Sequence, residues 1–231
     1  MWRWLELALP LALTALASPS MAAVSMPFLA LGDSYTIGEA VSESERWPVQ
    51  LAAALRQEGR NLADPQIIAT TGWTTDELSA AIDRAEGRGE LRRDYALVSL
   101  LIGVNNQYRG RDLDNYRAEF SALLARAIAF AGGRHERVLV LSIPDWGVTR
   151  YGHGSGRDTA AIARELDAFN GAAQAECHRR GVAFVDITTV SRHLGARADM
   201  QADDGLHPSA AMYREWTRLA LPVAQRLLAP P

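Results

Sequence analysis

Ser34 stands in the run Gly32-Asp33-Ser34-Tyr35. A serine hydroxyl is a weak nucleophile that needs a base within hydrogen-bond reach and a third group to hold that base in the right tautomer. Near the other end of the chain, Asp204-Gly205-Leu206-His207-Pro208-Ser209 offers both. A spacing of three lets the Asp204 carboxylate lie against the His207 imidazole while the other ring nitrogen faces a serine brought in by the fold. Attack on an acyl carbonyl would place negative charge on its oxygen, which must meet donors already in position. The backbone amides of Ser34 and Gly72 and the side-chain amide of Asn105 are the three candidates. Glycine at 72 suits this role if a side chain there would keep the backbone away from the substrate.

Taken singly, each of these patterns has an ordinary reading. Gly-Asp-Ser is a common turn tripeptide, Gly72 a turn or helix-start glycine, Asn105 a turn or cap residue, and Asp204 a helix-start carboxylate beside a surface histidine. Their joint placement gives them weight, because it depends on the elements that carry them. Short apolar runs alternate with segments of helical period, which predicts a parallel sheet covered on both faces. Strands are expected at residues 28–31, 66–70, 95–102, 137–143 and 183–187. Helices are expected at 48–57, from a Thr74/Glu77 capping box onward, along Tyr116, Phe120, Leu123, Leu124 and Ile128, at 159–180, and after Ser209. Pro222 should end or kink the last one. The fold class is therefore a single three-layer α/β/α sandwich over residues 26–231 with a flavodoxin-like five-stranded parallel sheet. In such sheets ligands bind outside the carboxyl ends of the strands, and Ser34, Gly72 and Asn105 each follow a strand.

In this order the four elements resemble the GDSL or SGNH hydrolase family, whose four named positions are a serine, a glycine, an asparagine and a histidine. The match spans nearly the whole chain after the leader. The first block reads GDSYTIG, with Tyr35 in place of the leucine of the name. The third block commonly reads Gly-x-Asn-Asp, whereas Asn106 stands here in the last place. The resemblance implies a serine ester hydrolase with Ser34, His207 and Asp204 as nucleophile, base and orienter, and Ser34, Gly72 and Asn105 around the oxyanion. Lipids, lysophospholipids, thioesters and acetylated sugars are the substrate classes it allows. Acyl transfer or thioester cleavage at the same site is the alternative within enzymes. A non-catalytic binding module on this fold would be marked by a missing site residue, and every position is filled.

Other residues carry less. Asp33 is expected to hydrogen-bond its own loop rather than to serve as the triad acid. Trp47, Trp73, Trp146 and Tyr108 are candidates for an acyl pocket, with core packing an equal alternative. Arg109 and Arg111 could receive an anionic head group or simply lie solvated. His135, His178 and His193 read as surface residues, His153 stays open, and Cys177 reads as an inert helical thiol. No pair of histidines has zinc spacing, so neither metal nor cofactor is expected. The stretch 146–157, rich in glycine, reads as an irregular and mobile loop.

Composition narrows the rest. The net charge of -3 and pI near 6.0 argue against nucleic acid, leaving a small acyl ester as the expected partner. All 24 basic residues are arginine, which removes lysine nucleophiles, Schiff bases and lysine-bearing phosphate loops. Residues 1–22 resemble a signal peptide, with an apolar run behind Arg3 and small-x-small patterns after it. The run is short for a membrane span. A periplasmic or secreted protein is the expectation, and a cytoplasmic one if translation starts at Met21 or Met26.

Overall fold

The computed structural model of the protein describes residues 25–229, so the leader expected over residues 1–22 lies outside the described residues. Five strands form one parallel sheet: β1 (Phe28–Gly32), β2 (Gln66–Ala69), β3 (Leu97–Leu101), β4 (Val138–Leu141) and β5 (Ala183–Val185). Their spatial order is β2-β1-β3-β4-β5, the flavodoxin-like winding expected. The three inner strands are buried along their whole length, as continuous apolar runs require when both faces are covered, whereas the edge strands β2 and β5 are partly buried.

The helices are α1 (Ser34–Ile37), α2 (Trp47–Gln57), α3 (Thr75–Gly87), α4 (Val104–Tyr108), α5 (Leu113–Phe130), α6 (Arg150–Gly154), α7 (Thr159–Arg179), α8 (Thr188–Leu194) and α9 (Ala210–Leu227). Helices α2 and α9 pack on each other, while α3, α5 and α7 pack in series. Leu51 and Leu55 of α2 and Tyr116, Phe120, Leu123 and Leu124 of α5 are buried, as their spacing predicts. The register sets the site: Gly32 at the end of β1 lies opposite Ala69 of β2 and Leu101 of β3. The segments leaving these three strands therefore emerge side by side.

Two expectations are revised, for identifiable reasons. Helix α9 does not end at Pro222 but runs through it to Leu227. Pro222 and Arg218, whose carbonyl loses its helical donor, both lie on the exposed side, and Trp216, Thr217, Ala220 and Ala224 are buried on the other. Water can satisfy the stranded carbonyl while packing holds the helix on either side of the ring. The stretch 146–157 is ordered rather than irregular. A 3-10 turn over Trp146–Val148 has the Asp145 carboxylate on the Gly147 amide at 2.9 Å, and α6 has the Thr149 hydroxyl on the Gly152 amide at 3.0 Å. Gly152 serves close packing, since a Cβ there would meet the Trp146 carbonyl oxygen at 2.3 Å. Helix α8 has no counterpart among the sequence expectations.

Candidate functional site

Ser34 is the first residue of α1, carried at the end of β1. Asp33 caps that helix, its Oδ1 accepting the Tyr35 amide at 3.0 Å, which is the loop-binding role expected of it. The carboxyl is fully buried and its Oδ2 has no hydrogen-bond partner. Burial pushes the Asp33 carboxyl up to about 7, an effect only partly offset by the amides of Tyr35, Asp33 and Gly103.

His207 lies in the loop before α9. Its Nδ1 is 2.6 Å from Asp204 Oδ2, and Asp204 Oδ1 accepts the Leu206 and His207 amides, each at 2.9 Å. Burial raises the Asp204 carboxyl, but the imidazole and these two amides outweigh it and hold the group below the usual carboxylate range. With Nδ1 occupied, Nε2 is the ring nitrogen left for other work. Ser34 and His207 line the same cavity, of about 200 Å3, together with Gly72 and Asn105. No hydrogen bond joins Ser34 to His207 among the described residues, and such contacts are often long before a substrate binds. Tyr35 packs edge-on against the His207 ring, centroids 5.8 Å apart, and against Trp216 at 5.9 Å. The residue that departs from the leucine of the family name thus supports the imidazole.

Gly72 has a conformational reason to be glycine beside the expected one of substrate approach. A Cβ built on it would have only Arg109 Nη2 within 4 Å, at 3.7 Å, so space is available; its φ of +88° is what side chains resist. Asn105 donates from Nδ2 to the Trp73 carbonyl at 2.9 Å, which leaves its second amide hydrogen for a ligand. Asn106, the departure from the usual third block, is buried. Its Oδ1 accepts the Thr75 amide at 3.1 Å and its Nδ2 donates to Thr75 Oγ1 at 2.6 Å, while the Thr75 hydroxyl passes its own hydrogen to Glu119. A carboxylate could accept from that hydroxyl; the amide donates to it instead, and Glu119 takes up the difference.

Neither arginine of the Arg109-Gly110-Arg111 run stands free for a head group. Arg109 donates from Nη2 to the Gly72 carbonyl at 2.6 Å and pairs with Glu77, and Arg111 pairs with Asp76 at 2.6 Å. Together with Asn105 and Asn106 they tie the segment after β3 to the segment after β2. Of the aromatic candidates, Trp146 and Tyr108 line the cavity; Trp47 is a core residue, and Trp73 packs against the core. The sequence reading missed Tyr151, Thr71, Val104, Leu206 and Tyr35 as further lining residues. Only the ordered conformation of 146–157 could have signalled Tyr151.

His135, His153, His178 and His193 are exposed. Cys177 is buried, and burial pushes its thiol up to about 12, in keeping with an inert role. Among the described residues no three His, Cys, Asp or Glu side chains come together to hold a metal ion, and no helix is long and apolar enough to cross a membrane.

Comparison with known proteins adds to this geometry. The model of the GDSL-like Lipase/Acylhydrolase family matches residues 30–215. Solved structures share the fold at low identity. TesA is 20% identical with a TM-score of 0.67, over 87% of this chain and 99% of that one. A lipase/acylhydrolase from Enterococcus faecalis is 19% identical with a TM-score of 0.65, over 89% and 98%. A single-residue variant of Axe2, an acetyl xylan esterase from Geobacillus stearothermophilus, is 17% identical with a TM-score of 0.64, over 89% and 97%. No curated protein matches the chain at a significant level.

Proposed function

The chain belongs to the GDSL-like lipase/acylhydrolase family and is an ester hydrolase, and from that premise we propose that it works through an acyl-serine intermediate on Ser34. Ser34 Oγ attacks the ester carbonyl and its proton passes to His207 Nε2. The resulting imidazolium is stabilised by Asp204 across Nδ1, and the oxyanion is met by the Ser34 and Gly72 amides and by Asn105 Nδ2. His207 then gives the proton to the departing alcohol. Water, deprotonated by the same imidazole, cleaves the acyl-serine, and the acid leaves with Ser34 restored. One observation carries the reading: a 2.6 Å carboxylate–imidazole pair opens onto the cavity that Ser34, Gly72 and Asn105 also line.

The test is turnover of chromogenic acyl esters by wild type and Ser34→Ala, with intact-mass detection of a covalent adduct from an organophosphonate. Equal turnover by the two proteins, or an adduct on a residue other than Ser34, would sink the mechanism. The same proposal carries residues 1–22 as an export signal ahead of a single domain over residues 26–231. N-terminal mass analysis of the protein recovered from a periplasmic fraction checks it.

A further inference from the structure

Two large apolar side chains remain exposed among the described residues, Tyr108 at 46% and Tyr151 at 39%, and both line the cavity that holds Ser34 and His207. They come from different helices. Tyr108 ends α4, the short helix that carries Asn105. Tyr151 sits in α6, and its amide donates to the Gly205 carbonyl at 2.9 Å, two residues before His207. Their hydroxyls meet at 2.7 Å.

Behind this pair the side chains are closely packed and hydrogen-bonded. The buried Trp146 ring lies 5.4 Å from that of Tyr108 and 6.2 Å from that of Tyr151, and its indole N–H donates to Gln107 Oε1 at 2.9 Å. The Arg157 guanidinium sits 5.4 Å from the Trp146 ring centroid and donates to the Tyr108 carbonyl at 3.3 Å and to Glu165 at 2.8 Å. The ring bases are thus held by packing, whereas their tips are joined by one exposed hydrogen bond for which water competes.

We propose that the hydroxyl-joined Tyr108–Tyr151 pair is the wall that sets substrate size, so that the enzyme acts on esters placing a short group, not a long alkyl chain, against Trp146. The inference rests on the acyl-serine reading of Ser34. The cavity has a volume of about 200 Å3 and is partly open to solvent, so the pair limits a chain only where it runs toward Trp146. In that direction a long chain fits only if the hydroxyl bond opens and the two rings part. The small group is either the acyl part or the alcohol part of the ester, and two series tell them apart.

The experiment measures kcat/KM on nitrophenyl esters from acetate to dodecanoate, and on acetate esters of alcohols from ethanol to decanol. Wild type, Tyr151→Phe, Tyr108→Phe and Tyr151→Ala are compared by the ratio of long-chain to short-chain kcat/KM, which a general loss of activity leaves untouched. Wild type is expected to fall off beyond about six carbons in one series. In that series the phenylalanine variants, which keep the ring and lose the bond, should raise the ratio about ten-fold, and Tyr151→Ala should raise it further. The series that responds identifies the group that faces Trp146. A wild type that turns over dodecanoate and decyl esters as well as the shortest ones overturns the proposal, as do ratios in the variants equal to wild type. If Ser34→Ala retains wild-type turnover, the Ser34 reading fails; if it is inactive and the ratios do not move, only the wall fails.

Discussion

Replacing Asp33 by asparagine isolates the buried carboxyl beneath the candidate nucleophile. Burial raises this group from an ordinary 3.8 to about 7, and no hydrogen-bond partner reaches its Oδ2. Because the folded-state value lies above the unfolded one, the folded protein holds a proton that the unfolded chain has already released. The contribution of Asp33 to stability is therefore fully present below about pH 4, falls as pH rises toward 7, and is flat above it. At about 1.4 kcal/mol per pH unit of displacement, the loss across that window is about 4 kcal/mol. Asparagine keeps an oxygen for the Tyr35 amide, resembles the protonated acid in size and charge, and does not titrate. Urea unfolding of both proteins at half-unit steps from pH 4 to 8.5 reads the effect directly. The two should be nearly equal in stability at pH 4, and Asp33→Asn should lead by about 3–4 kcal/mol at pH 8. Other titrating groups, Asp204 included, are common to both proteins and cancel in the difference. A stability difference that stays constant across the range would refute the argument, because it would mean that Asp33 carries the same charge folded and unfolded.

Three further outcomes follow from the site. Asn105→Ala removes one candidate oxyanion donor and the bond to the Trp73 carbonyl; kcat should fall about 10²–10³-fold with KM changed less than three-fold, in steady-state kinetics on a short ester. Asp204→Asn leaves a group beside Nδ1 but favours the wrong imidazole tautomer, so kcat should fall about 10⁴-fold while the folded far-UV spectrum is retained. Gly72→Ala meets little steric resistance, yet its φ of +88° is unfavourable for alanine. Calorimetry should show a loss of about 1–2 kcal/mol, and kcat should drop by at least ten-fold as the peptide relaxes away from its donor geometry.

The parts of this arrangement that were legible in the sequence are those set within one element or by strand order. Asp204 and His207 lie three apart on one turn, so their contact needs no long-range information. Ser34, Gly72 and Asn105 share an edge because three apolar runs become neighbouring parallel strands with aligned ends. Burial of Tyr116, Phe120 and Leu123 followed from helical period alone. What depended on tertiary contacts was not legible. Nothing local distinguishes Trp47, which enters the core, from Trp146, which faces the cavity. Arg109 and Arg111 looked available because their acidic partners, Glu77 and Asp76, are more than thirty residues away in the chain. The glycines of 146–157 suggested mobility, whereas Gly152 there permits close contact with the Trp146 backbone. That α9 would continue past Pro222 was not legible because the penalty of the proline depends on which side of the helix faces water.

The bonds that run from Asn105, Asn106, Arg109 and Arg111 to the stretch Gly72–Asp76 join the ends of β2 and β3, whereas Tyr151 arrives on the separate connection between β4 and α7. That connection is in turn tied to the loop that carries Asp204 and His207: the Arg150 amide donates to Gln201 Oε1 at 3.0 Å, Arg150 Nη2 to the Asp203 carbonyl at 2.7 Å and the Tyr151 amide to the Gly205 carbonyl at 2.9 Å. For protein engineering, residues 149–157 are therefore not an exchangeable cassette: the Tyr151 side chain can be varied to seek new acyl or alcohol preferences, whereas Arg150 has to stay, because it holds the loop that positions His207.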